Sequence, residues 1–121
     1  MSQLECRVSE VLLHAAGAAS RGAALLAVLS DIVPAAEIGH PAAGLIELRV
    51  NGDIKQRADI SQLIHTVPDI IAHLSSFYHL HPGDLIYTGT PEGVGPVVPG
   101  DAMEGTIAGV GTIALTIGPP E

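Results

Sequence analysis

The chain has 121 residues, enough for one domain that on folding buries somewhat over about 60% of the surface its unfolded form exposes. Its apolar share of 47% is almost wholly Ala, Val, Ile and Leu, with Phe77, Tyr78 and Tyr87 the aromatic residues, so the core is aliphatic and base stacking is a poor binding mode for it. A formal charge of −8 with only 5 Lys and Arg forms no basic stripe and argues against nucleic acid as a partner, leaving the carboxylates as a solvated surface or, alternatively, a cation site.

Residues 1–30 are rich in alanine and differ in composition from the varied, punctuated sequence of 31–121. The apolar run from Val11 to Leu29 contains His14, Gly17, Arg21 and Gly22, and Glu5 and Glu10 flank Arg7 ahead of it, so it reads as neither a signal peptide nor a membrane span. Alanine propensity favours a helix over 8–29, but each of the two glycines costs about 1 kcal/mol relative to Ala and no amphipathic stripe appears. That leaves 1–30 as a segment that is helical or poorly ordered. Cys6, alone in the chain, forms no internal disulfide or cysteine zinc cluster, which fits a reducing, cytoplasmic setting.

From Leu45 the pattern alternates, with Ile46, Leu48 and Val50 on one face and Glu47 and Arg49 on the other, and Asn51-Gly52 follows at once: a strand entering a hairpin. A simple two-residue loop would set Ile54 opposite Arg49, against a clean apolar face, so a longer or bulged turn is expected and the register stays open. Asp59 with Gln62, and Thr66 with Asp69, have the spacing of helix caps, with Pro68 tolerated in the first turn of the second helix. Ile70, Ile71, Leu74, Phe77 and Tyr78 share one face of that main helix, which is expected to pack on a sheet.

His81-Pro82-Gly83-Asp84 reads as a turn, Leu85-Ile86-Tyr87 as a short buried strand, and 102–108 and 112–117 as two further strands turned by Gly109-Val110-Gly111. Strands around one main helix make the class α+β. Between them, Thr88-Gly89-Thr90-Pro91-Glu92-Gly93-Val94-Gly95 is the segment richest in chemistry. Its glycines let backbone amides approach a ligand while Thr88 and Thr90 can donate to anionic oxygens, although on the residues alone a purely structural turn is the commoner reading. It matches neither a phosphate loop nor a dinucleotide fingerprint. His40, His65, His73, His79 and His81 lack ligand spacing apart from a weak His79-x-His81, Asp84 and Asp101 suit turn stabilisation, and no serine stands in a nucleophile elbow.

In order along the chain, Val50-Asn51-Gly52 with Gln56, Pro82-Gly83-Asp84-Leu85-Ile86, the loop 88–95 and Gly100-Asp101 resemble the fumarylacetoacetate hydrolase family over roughly residues 31–118, and Ile38-Gly39-His40-Pro41 with Gly44 looks closest to its fumarylpyruvate hydrolases. The resemblance implies that 31–121 is a partial catalytic domain of this kind, a mixed β-sheet roll with one main helix, as in the C-terminal part of the family fold. It also implies homodimers or higher self-association, and Mg2+ or Mn2+ holding an acylpyruvate for hydrolytic C–C cleavage. Thr90 then contacts the oxo-acid substrate, with Gly89 and Thr88 shaping its loop. Yet the family's Glu-x-Glu pair, later Asp and following Lys, which precede the Val-Asn-Gly hairpin, have no counterpart here. Before Val50 the acidic residues are Glu5, Glu10, Asp31, Glu37 and Glu47, and no lysine occurs before Lys55. The family's lid His and Glu are unmatched too, and His14 stands in an unrelated context. On this pattern residues 1–24 look like a replacement for the missing portion, as a truncated gene or shifted frame produces. The readings are therefore an acylpyruvate hydrolase, a catalytically inactive family member acting as a dimerisation or interaction module, and an oxo-acid decarboxylase or isomerase of the same family.

Overall fold

The computed structural model describes residues 30–119, so the helix expected over 8–29 lies outside the described residues. After Pro34 a single turn of helix, α1, spans Ala35–Ile38 and is closed by Gly39 at φ 75°. Proline ahead of the turn and glycine after it are the sequence signals for this short element.

The hairpin consists of β1 (Leu45–Val50) and β2 (Asp53–Asp59). Asn51 and Gly52 both have positive φ, 52° and 87°, the pair of left-handed residues that a tight two-residue hairpin turn demands. Ile54 does sit opposite Arg49, and the conflict is resolved one pair later. The register shifts between Leu48 and Arg49, so that Lys55 is the extra, bulged residue and Gln56 returns opposite Leu48 on the apolar face. The turn is thus the simple two-residue one, not the longer or bulged turn expected, and the bulge stands within β2 instead.

β3 (Ala102–Ile107) pairs antiparallel with β1, and β4 (Gly111–Thr116) antiparallel with β3, giving the order β2-β1-β3-β4 in a four-stranded sheet. The domain is thus α+β, with an antiparallel sheet and few helices. One sheet face collects Ile46, Leu48, Val50, Gln56, Met103, Ile107, Ile113 and Leu115 by strand alternation. Its best-covered apolar side chains are Met103, Val50 and Ile107, and Ile60 next to the hairpin is buried with them. Ile60 opens a 3-10 turn (Ile60–Gln62) capped as its spacing foretold: Asp59 Oδ1 accepts from the Ser61 N–H at 2.9 Å while the Asp59 N–H donates to Gln62 Oε1 at 2.8 Å.

Helix α2 (Val67–Ser75) starts on its expected cap, Thr66, whose hydroxyl accepts from the Asp69 N–H. Its packing differs from expectation. None of its residues is buried, and Phe77 and Tyr78, read as part of its apolar face, lie beyond its end with 69% and 66% of their surface exposed. The Ser75 and Ser76 hydroxyls donate to the carbonyls of Ala72 and His73, drawing off acceptors that a continuing helix would use. Leu85-Ile86-Tyr87 is likewise not a buried strand: it joins no ladder of the described sheet, Leu85 and Tyr87 are more than two-fifths exposed, and Gly83 and Gly89, at φ 99° and 118°, bend the chain on either side. No helix among the described residues is long and apolar enough to cross a membrane.

Candidate oxo-acid-binding loop

The residues singled out in the sequence meet in two places. Asn51, at the hairpin tip, donates through Nδ2 to Asp101 Oδ1 at 2.8 Å and accepts at Oδ1 from the Ala102 N–H at 2.9 Å, while its own N–H donates to the Ala102 carbonyl. Asp101 in turn accepts from the Val98 N–H at 2.9 Å, closing the turn through Pro99 and Gly100. These donors hold the Asp101 carboxyl below its ordinary range, the Val98 amide first and the Asn51 side chain second. Asp84 closes the other Pro-Gly turn in the same way, accepting from the His81 N–H at 2.7 Å. Both aspartates therefore serve turns.

The second meeting point anchors the loop 88–95. Gln56 is the buried polar residue of the sheet, 5% exposed, and its Nε2 donates to Thr90 Oγ1 at 2.9 Å and to the Pro91 carbonyl at 2.6 Å. A carbonyl only accepts, so the amide must turn its nitrogen toward the loop, and its second hydrogen falls to the threonine oxygen. Thr90 itself is exposed. Its hydroxyl, with one lone pair engaged from behind, keeps its own hydrogen for a group in front.

Gly93 completes the anchor. At φ 102° it lies against the bulged Lys55, and a Cβ there would overlap the Lys55 carbonyl oxygen. Consecutive β2 residues, Lys55 and Gln56, thus hold Gly93, Pro91 and Thr90. Behind the loop a cavity of about 40 Å3 is lined by Gln56, Pro91, Ile46, Leu48, Gly105 and Ile107 among others. Its largely apolar walls make it part of the sheet's packing, while Thr90 faces solvent in front of Gln56.

Glu92 belongs to the loop itself; on the sheet, Glu47 lies on the opposite face from Gln56 by alternation. Its carboxylate, 12% exposed, lies 2.7 Å from Arg49 Nη2 and 3.7 Å from Arg57 Nε, which commits it to an ion pair. His79 and His81 stand with ring centres 5.3 Å apart, and among the described residues no group of three or more His, Cys, Asp or Glu is placed to hold a metal ion. Residues 30–119 therefore do not fit the divalent cation that the family resemblance implies. Sequence reasoning named Thr90, Gly89 and Thr88, and the structure puts all three in this loop. The sequence shows Gln56 only as part of a motif, and its contact with Thr90, 34 residues away, appears only in the fold. The signal was available: a lone amide on an otherwise aliphatic strand face.

Residues 8–118 match the model of the fumarylacetoacetate (FAA) hydrolase C-terminal family. The chain is 53% identical over 94 residues to the fumarylpyruvate hydrolase of Ralstonia sp, covering 78% of this chain and 48% of that protein. It is 51% identical over 81 residues to the maleylpyruvate hydrolase of Aquipseudomonas alcaligenes, covering 67% of this chain and 28% of that one. Among solved structures, the fumarylpyruvate hydrolase of Pseudomonas aeruginosa, crystallised with Mn2+ and pyruvate, superposes with a TM-score of 0.72 at 45% identity, over 73% of this chain and 38% of that one. The chain spans less than half the length of each of these relatives.

Proposed function

Because this chain belongs to the fumarylacetoacetate hydrolase C-terminal family, we propose that it supplies the oxo-acid-binding side of a hydrolase that cleaves a C–C bond in an acylpyruvate such as fumarylpyruvate. The observation that carries this reading is the anchored loop 88–95, with Thr90 exposed in front of Gln56. The likeness to a hydrolase solved with pyruvate supports it. Hydrolysis of an acylpyruvate adds water across the bond between the acyl carbonyl and the methylene, releasing a carboxylic acid and pyruvate. The part this chain's residues play is to hold the pyruvyl end: the Thr90 hydroxyl donates to its carboxylate, a charge-assisted bond stronger than a neutral one, and Gly89 and Thr88 shape the approach. A divalent cation supplies the family's carbonyl polarisation when bound, and its ligands are not provided by residues 30–119.

That misfit favours a second reading for the chain by itself, an oxo-acid binder without turnover. Loss of fumarylpyruvate absorbance with Mg2+ or Mn2+ separates the two. Turnover that chelator and Thr90→Ala both abolish establishes the hydrolase; a folded sample that binds pyruvate without turnover establishes the binder. Self-association and a reducing, cytosolic setting belong to the same proposal, supported by the place of β4 at one edge of the described sheet and by the lone Cys6.

A further inference from the structure

We propose that Gln56 is a positioning residue for the oxo-acid site, acting through Thr90; this rests on the reading of loop 88–95 as the carboxylate-binding loop. Gln56 occupies a place on the sheet where packing alone calls for an aliphatic side chain, opposite Leu48 and 5% exposed. A buried amide is unfavourable there unless its hydrogens are satisfied, and the hydrogen bonds of its Nε2 go to the loop, at Thr90 Oγ1 and the Pro91 carbonyl.

This geometry does more than tether. By donating to Thr90 Oγ1, the amide makes the threonine oxygen an acceptor toward the protein, so the hydroxyl hydrogen points outward as a donor. An apolar residue at 56 leaves that hydroxyl free to rotate and to spend its hydrogen elsewhere. A carboxylate at 56 takes the hydrogen for itself and reverses the polarity of the contact. The Lys55 bulge sets the register that brings Gln56 to the loop, and its carbonyl, against Gly93, fixes how near the loop lies.

Four proteins test the assignment by pyruvate titration, followed through amide shifts of the 15N-labelled chain: unsubstituted, Gln56→Leu, Thr90→Val and the double variant. Gln56→Leu is expected to weaken pyruvate binding about tenfold and Thr90→Val about 10-fold to 100-fold, and the double variant to be no weaker than the worse single, since the two act through one hydroxyl. Gln56→Glu, whose protonated form is close to glutamine in shape and can donate, is expected to bind weakly at neutral pH and to recover as the introduced carboxyl protonates. This variant also answers the case in which Gln56→Leu fails to fold. Losses that multiply in the double variant, an unchanged affinity in Gln56→Leu, or a Gln56→Glu defect independent of pH would each overturn the positioning role while leaving the loop reading intact. No pyruvate binding by the unsubstituted chain overturns the loop reading and the positioning role together.

Discussion

Asn51 Nδ2 and Asp101 Oδ1 lie 2.8 Å apart, joining the hairpin tip to a turn 50 residues later in the chain. With the reciprocal Ala102 contacts, the Asn51 side chain closes one end of the β1–β3 pairing. Asn51→Ala removes both side-chain bonds and places a residue less suited to φ 52° at the turn, so a loss of about 1–2 kcal/mol is expected in denaturant unfolding. Combined with Asp101→Ala, the cost should fall short of the sum of the singles, because the two share one bond. Strict additivity would contradict the link.

Acid should act on the same turns. The Asp59 carboxyl is held low first by the Ser61 hydroxyl, then by the Ser61 and Gly44 amides, and Asp101 is held low by the Val98 amide and Asn51. A folded-state value below the unfolded one contributes stability above the unfolded pKa, near about 3.9 for Asp, that is lost as pH falls through the folded values. The urea midpoint is therefore expected to fall below about pH 4 and less steeply in Asp59→Asn and Asp101→Asn. An unchanged acid limb in the paired variant would refute this.

Two glycines should respond oppositely to alanine. At Gly105, within β3, an added Cβ meets Ile113 Cγ2 at 3.4 Å and Leu48 Cδ1 at 4.0 Å, ordinary packing, so Gly105→Ala should stabilise by about 0.4–1 kcal/mol. At Gly93 the Lys55 carbonyl and the positive φ forbid a side chain, and Gly93→Ala should lift the loop at a cost of about 1–3 kcal/mol or more. Thermal melts read the first, and amide exchange across 88–95 the second.

Much of this was readable in the sequence because it is local. Alternation in 45–50, the Asn51-Gly52 turn, the Asp59 and Thr66 caps and the strands after Pro99-Gly100 depend on neighbours within a few residues. The failures are questions of partnership. Phe77 and Tyr78 have helical spacing whether or not a sheet receives them, and Leu85-Ile86-Tyr87 has strand character whether or not a ladder is beside it. The site shows the same division. Thr88, Gly89 and Thr90 announce themselves as a glycine-rich motif, whereas the Gln56 contact with Thr90 spans 34 residues and depends on a bulge that only the folded register reveals.

The sheet edges differ in protection. β2 carries Asp53, Lys55, Arg57, Asp59 and a bulge, while β4 reads Gly-Thr-Ile-Ala-Leu-Thr without charge or proline. Self-association is expected through β4, seen as concentration-dependent sedimentation that Ala114→Lys suppresses. A sharply melting monomer at all concentrations would contradict it.

The central claim is that Thr90 meets the carboxylate of an oxo-acid. Its most direct test is titration of pyruvate into labelled protein with Thr90 and with its near-isostere valine in Thr90→Val. Saturable shifts centred on 88–95, weakened about 10-fold to 100-fold in Thr90→Val, are the expected result, in line with about 1.5–3 kcal/mol for a hydrogen bond to a charged group. Equal binding by the two proteins, or shifts confined to other parts of the fold, would contradict it.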